Sequence, residues 1–398
     1  MNANQWARWL LVGLILTVVA RDAAAAGLFV LVSGRWDNTV VVIDLAKALD
    51  PANDRTPSAV INRVRVTPDI DTKGTGAADT PASGQPVNVV IPAEGRLAYV
   101  VNHSGVAMPA AATAFQHGHA GTITVLDLVK VLDPANNGTT NAVVAVVPTG
   151  GFGPVGLALT PDRRFALVTN SEGDGDEEGG RTVSVIDLAS RAVVRQVTQA
   201  YGKPGFACPP TPIPHAGPHA SFGCFPDANG IGISLRRGGY AFTANGGTDD
   251  VSVIDLGRAL AGDPGAEIAR IPVAVGPWGL AVSPDGGLVV VANRESARTG
   301  TEGNTISIID VERAIAGARD AEVARVLVGT NNPATATRTF GVAFTPDGRY
   351  AVITGAARGA SGSRVVWVLD LASRKIVGRV TGVGNEAYLL DILPGPRS

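Results

Sequence analysis

Basic runs, nucleophile signatures and haem-attachment sites are all missing from this 398-residue sequence, and each absence removes a class of function. Lys and Arg total 33 against 35 Asp and Glu, a formal net charge of −2, so the positive footprint that nucleic acid requires is lacking. No long basic amphipathic helix points to a membrane surface either. There is no CxxCH for covalent haem, no G-x-S-x-G elbow and no phosphate-binding P-loop. Cysteine is nearly absent, with Cys208 and Cys224 alone. In an oxidising compartment these two pair most simply with each other. That removes a thiol nucleophile and closes a loop worth about 3 kcal/mol in chain entropy.

Apolar side chains are plentiful at 45% of the chain, ample for a core and incompatible with disorder. One uninterrupted run, WLLVGLILTVVA at 9–20, lies between Arg8 and the pair Arg21-Asp22, and small residues follow to Ala26. This is the layout of a secretory signal. The run falls short of the roughly 20 apolar residues a bilayer span needs, and no Cys adjoins the expected cut to carry a lipid. The expectation is a signal peptide over 1–26 and one domain over 27–398. The mature protein is then periplasmic or secreted, with no stable membrane anchor.

A β-branched run ending in Asp and an aliphatic residue recurs six times: TVVVIDL, TITVLDL, TVSVIDL, DVSVIDL, TISIIDV and RVVWVLDL. Its aspartates are Asp44, Asp127, Asp187, Asp255, Asp310 and Asp370, separated by 83, 60, 68, 55 and 60 residues. Upstream lies a strand–turn–strand pattern with a Pro-Asp-Gly type of turn, as in GLAVSPDGGLVVVAN at 279–293; downstream comes a further strand such as EIARIPV at 267–273. Four short strands per unit of about 60 residues describe a propeller blade. The N-terminal unit lacks its first strand, and the C-terminus supplies a spare one, AYLLDIL at 387–393. Pairing the two predicts an all-β, six-bladed propeller of four-stranded antiparallel blades, with the last strand closing the ring and removing exposed edges.

The pieces SPDGGLVVVAN, TPDGRYAVITG and VSVIDLASRAVV resemble the YVTN β-propeller repeat family of exported, lactonase-like propellers, over essentially residues 28–393. The resemblance implies a propeller fold. It leaves function wide, because such propellers include binding proteins and lactone hydrolases. Many have seven blades, whereas six aspartate-marked strands are present here.

The six aspartates sit where a strand ends and a turn begins, a place where Asp accepts backbone N–H groups, so they are read as structural. Asn102, Asn170, Asn245 and Asn293, closing the second strands, are read in the same way. Propeller topology puts second-to-third-strand loops and blade crossings on one face, and the long insertions 67–85, 103–121, 171–181, 199–229 and 294–304 all fall there. Function usually sits on such loops. All five histidines join them: His103, His117 and His119 in one loop, His215 and His219 inside the expected disulfide. Between the two groups lies EGDGDEEGG with Asp174, Asp176, Glu177 and Glu178. Imidazole and carboxylate suit a divalent metal ion, and the acidic stretch alone suits Ca²⁺ or simple solvation. Arg35, Trp36, Asp37, Trp278, Phe340, Glu386 and Tyr388 lie near the same mouth, where aromatics either pack between blades or touch a ligand.

Two functions are consistent with these residues. One is a binding module for a small molecule, metal ion or protein partner at the loop-rich mouth. The other is a metal-dependent hydrolase or lyase of lactone-like substrates, with an acidic side chain handling the proton. A redox role with a non-covalent quinone or haem rests on fold analogy alone.

Overall fold

The computed structural model describes residues 27–34, 37–54, 56–67, 84–92, 96–103, 120–172, 179–202, 207–208, 223–295, 302–328, 337–357, 364–381, 383 and 387–393. The expected signal segment lies outside them.

Strands dominate, as the β-branched repeats require. The first unit holds β1 (Phe29–Gly34), β2 (Thr39–Asp44) and β3 (Val60–Arg65). Next come β4 (Pro86–Val90), β5 (Leu97–Asn102), β6 (Ala120–Asp127) and the long β7 (Val143–Leu159). β8 (Phe165–Glu172), β9 (Thr182–Asp187) and β10 (Ala192–Thr198) come after it. The fourth unit is β11 (Ala228–Ser234), β12 (Tyr240–Asn245), β13 (Asp250–Asp255) and β14 (Glu267–Pro272). The fifth is β15 (Pro277–Val282), β16 (Leu288–Glu295), β17 (Glu302–Asp310) and β18 (Glu322–Leu327). The chain ends with β19 (Thr337–Phe344), β20 (Tyr350–Ala357), β21 (Arg364–Asp370), β22 (Lys375–Val380) and β23 (Ala387–Leu393).

Among the described residues all strand pairings are antiparallel. Four sheets have four strands, in the orders β23-β1-β2-β3, β11-β12-β13-β14, β15-β16-β17-β18 and β19-β20-β21-β22. The spare C-terminal strand therefore does pair with the first, with Phe29 opposite Leu393 and Leu31 opposite Asp391. Between the first and fourth units the expected separation fails, because β4 to β10 form one seven-stranded sheet. β7 runs unbroken as the last strand of one unit and the first of the next. Its central PTGGFGP stretch keeps its ladder pairing through bulges, and Gly150 and Gly153 take positive φ there, at 69° and 52°, at no steric cost.

The first strands of successive units pack against one another, β4 on β7, β7 on β11, β11 on β15, β15 on β19, and β23 on both β19 and β4. The core lies in these interfaces. Val30 and Val41 pack with Tyr350 and Val352, and Phe242 and Val253 with Val289 and Ile309. Each such side chain, fully buried, contributes roughly 1.5–3 kcal/mol.

Each repeat aspartate accepts backbone N–H groups just beyond its strand, as from Lys47 to Asp44, Val129 and Lys130 to Asp127, and Ser373 to Asp370. In four units it caps a one-turn helix: α1 (Leu45–Leu49), α2 (Leu128–Leu132), α3 (Leu256–Ala261) and α4 (Val311–Ile315). These helices pack on the outer strand of the preceding unit, α1 on β22, α2 on β3, α3 on β10 and α4 on β14.

Candidate functional site

Three asparagines at or near the end of second strands each lie opposite a proline: Pro86 and Pro277, which open β4 and β15, face Asn102 and Asn293, and Pro154 within β7 faces Asn170. Proline needs no ladder donor at the first position of a strand. Each Asn Nδ2 donates to hydroxyls of the third strand, Asn102 to Thr122 and Thr124, Asn170 to Thr182 and Ser184, Asn293 to Thr305 and Ser307. The asparagines are thus framework. The next position along the chain carries no such duty, and there His103 and Arg294 stand.

His103 is buried at 7% exposure and bridges two units. Its Nδ1 lies 3.3 Å from the Pro154 carbonyl oxygen at the start of the next first strand, and its Nε2 lies 3.0 Å from Glu172 Oε1. A carbonyl oxygen only accepts, so Nδ1 carries a proton. Nε2 then faces a carboxylate, which suits either a ring protonated on both nitrogens or a cation shared between the two groups. Two ligands about 2.0–2.2 Å from one ion are separated by about 3 Å at the right angle of an octahedral ion and by about 3.4 Å at a tetrahedral angle.

Arg294 lies over two rings, with its guanidinium carbon 4.6 Å from the centroid of Trp278 and 4.9 Å from that of Phe340. The rings meet edge to face at 6.3 Å. Phe340 is 1% exposed and belongs, with Val87, Val155 and Leu389 of three other first strands, to one apolar cluster, with Trp278 packed against it. These two aromatics therefore pack, as one of the two sequence readings held. A Cβ on Gly279 would come within 2.8 Å of Leu389 Cδ2, so Leu389 reaches past β19 to β15 and fills the space between the strands.

The crossing into the fourth unit is tied down. Cys208 and Cys224 form a disulfide with Cα atoms 5.5 Å apart. Arg270, 12% exposed, bonds Glu267 at 2.9 Å, lies 3.6 Å from Asp250, and donates to the carbonyls of Ala200 and Gly202. Burial pushes the Asp250 carboxyl up, and Arg270 opposes that shift.

His117, His119, His215, His219, Asp174, Asp176, Glu177 and Glu178 lie outside the described residues, as do Arg35, Trp36, Glu386 and the side chain of Tyr388. Among the described residues no three His, Cys, Asp or Glu groups gather as a metal site. Sequence reasoning passed over Glu172, although it opens the acidic stretch EGDGDEEGG, and it passed over Arg294.

On the other side of the apolar cluster lies a cavity of about 570 Å³, walled by residues of six first strands and by the turns at Pro92, Pro161 and Pro284. Asp391 lies in its wall.

No family model matches the sequence, and no curated protein matches it. Solved structures do. Over 90% of this chain and 84% of that one, the fold is similar to the periplasmic gluconolactonase PpgL of Pseudomonas aeruginosa, at 18% identity and a TM-score of 0.53. The fold is that of a β-propeller. Looser likenesses reach the Kuenenia stuttgartiensis hydrazine synthase, at 20% identity over 79% of this chain and 71% of that chain with a TM-score of 0.47, and the dihydro-heme d1 dehydrogenase NirN, at 16% over 91% and 74% with 0.43. No helix among the described residues is long and apolar enough to cross a membrane.

Proposed function

We propose that this chain is an exported, six-bladed propeller of YVTN type that binds a ligand at its loop-rich mouth through a divalent cation. His103 and Glu172 are the first two ligands to that ion. Six blades and a closed ring are supported by β23, which pairs with β1 while packing on β4 and β19. Export is supported by the Cys208–Cys224 bridge and by the leader-like start of the sequence.

The single observation behind the site is the buried imidazole held 3.0 Å from a carboxylate at the root of the acidic loop. Further ligands would come from His117, His119, Asp174, Asp176 or Glu177, whose loops begin at this point, or from His215 and His219 in the neighbouring crossing. Tag-free protein titrated with Co²⁺ is expected to bind it tightly with a visible ligand-field band. His103→Ala and Glu172→Gln should each weaken the binding at least tenfold. Unchanged Co²⁺ affinity in both variants sinks the site.

A second reading, hydrolysis of lactones, is favoured by the likeness in fold to a gluconolactonase. A cation at His103 would bring the pKa of bound water to about 7 and polarise the lactone carbonyl. Metal-dependent turnover of a δ-lactone, lost in His103→Ala, separates this reading from simple binding.

A further inference from the structure

Asp391 is the one carboxylate among the described residues that line a mostly apolar cavity. It interrupts the run AYLLDIL on β23 and lines the 570 Å³ cavity together with side chains such as Val90, Leu159, Ile233, Val282 and Phe344. That volume lies within the roughly 300–1,000 Å³ of small-molecule sites, which are mostly apolar with a few placed polar groups. Both carboxylate oxygens are fixed: Oδ2 accepts the Ile91 N–H of β4's unit at 2.8 Å, and Oδ1 accepts the Ile392 N–H at 2.8 Å. No Lys or Arg among the described residues pairs with it. The other ionisable side chain in the wall, Arg163, is exposed on the turn between β7 and β8. Burial holds the Asp391 carboxyl at about 6, above the usual carboxylate range, because no countercharge offsets the loss of water.

A carboxylate oriented by two backbone donors, with lone pairs remaining and an apolar chamber beside it, lacks one thing, a positive charge. We propose that this cavity is a second binding site, separate from the loop-rich mouth, for a small organic cation. Its apolar body fills the chamber and its protonated nitrogen pairs with Asp391. A neutral ligand of the same shape would gain the apolar contacts but leave the carboxylate without a counter-ion, and one lacking the apolar body would gain little over water.

The test uses the full chain and a matched pair of probes, 1-adamantanemethylamine and the neutral 1-adamantanemethanol, titrated calorimetrically at pH 7.5. The amine is expected to bind at submillimolar concentration and at least tenfold tighter than the alcohol. Asp391→Asn should cut amine affinity at least tenfold and leave the alcohol unchanged. Lowering the pH from 7.5 to 5 should weaken the amine in the parent protein, since Asp391 takes up its proton across that range while Arg163 keeps its charge. Val282→Phe, which narrows the chamber and leaves the carboxylate in place, should weaken both probes and covers the case in which the Asn variant does not fold. His103→Ala should alter neither, so failure of the mouth site and failure of this one are distinguishable. Equal affinity for the two probes, tighter binding of the alcohol, or no amine binding up to 5 mM overturns the proposal.

Discussion

On the loop side of the molecule, buried charge is matched. Arg270 sits between Asp250 and Glu267, His103 meets Glu172, and Arg294 lies over Trp278 and Phe340. On the turn side, Asp391 is met among the described residues by backbone N–H groups alone, in a chamber whose wall is mostly apolar but includes Asn88, Thr160 and Arg163. Arg270 and His103 each meet an opposite charge, whereas Asp391 has its hydrogen bonds satisfied and its charge unmatched. A buried ion without a partner raises the energy of the folded state, and a fold retains one where something else offsets it. The contrast separates groups that hold the loops in place from a group held ready for an external partner.

The largest effect is expected where matching is densest. Arg270→Ala leaves two carboxylates, 6% and 8% exposed, facing each other without a cation, and it frees the carbonyls of Ala200 and Gly202. Removing one member of a buried ion pair typically costs about 3–5 kcal/mol. Urea unfolding at pH 7.5 should show a loss of this size, and the loss should shrink at pH 5. In the variant the Asp250 carboxyl, pushed up by burial, loses the Arg270 charge that opposes the shift, so its protonation restores stability as the pH falls. An equal loss at both pH values would mean that Arg270 acts by packing and not by charge.

How much of this was legible in the sequence depends on whether a signal repeats. Asp44, Asp127, Asp187, Asp255, Asp310 and Asp370 recur with their neighbours, and their cap role followed from position alone. Asn102, Asn170, Asn245 and Asn293 were read as framework too, but as caps or bends of the chain, whereas each Nδ2 donates to third-strand side chains. Helices α1 to α4 were not legible, since one turn is too short for any apolar periodicity to show. The continuity of β7 was hidden because PTGGFGP reads as a break, and only the Gly150 and Gly153 backbones let it run on. Pairings such as His103 with Glu172 join residues 69 apart on different units, a relation no local pattern carries. Asp391 did leave a trace, a lone carboxylate inside AYLLDIL, but the strand drew attention for closing the ring and not for its charge.

Asp391 provides the intermediate effect, with the opposite sign. Its folded value of about 6 lies above an unfolded value near 3.9. The stability it contributes is therefore complete below about pH 4 and is lost as the pH rises through 6. A difference of this size between folded and unfolded carboxyl corresponds to roughly 2–3 kcal/mol. Asp391→Asn should be more stable than the parent protein at pH 7.5 by about 2 kcal/mol relative to the same comparison at pH 4. A variant that parallels the parent across this range would place Asp391 among the matched charges and erase the contrast between the two sides.

The smallest effect is expected at Arg294. Its guanidinium shares two ring faces, and cation–π contacts contribute about 0.5–1 kcal/mol where exposed and about 2 where desolvated. Arg294→Met keeps the length and the apolar stem but removes the charge, so a loss of about 1 kcal/mol in urea is predicted, accompanied by a change in tryptophan emission as Trp278 loses its cation. Arg294→Lys should recover part of it, since an ammonium keeps the charge without the planar stacking. If Met is as stable as Arg, the stack works through apolar contact alone. Charge matching on the loop side would then rest on Arg270 and His103 only.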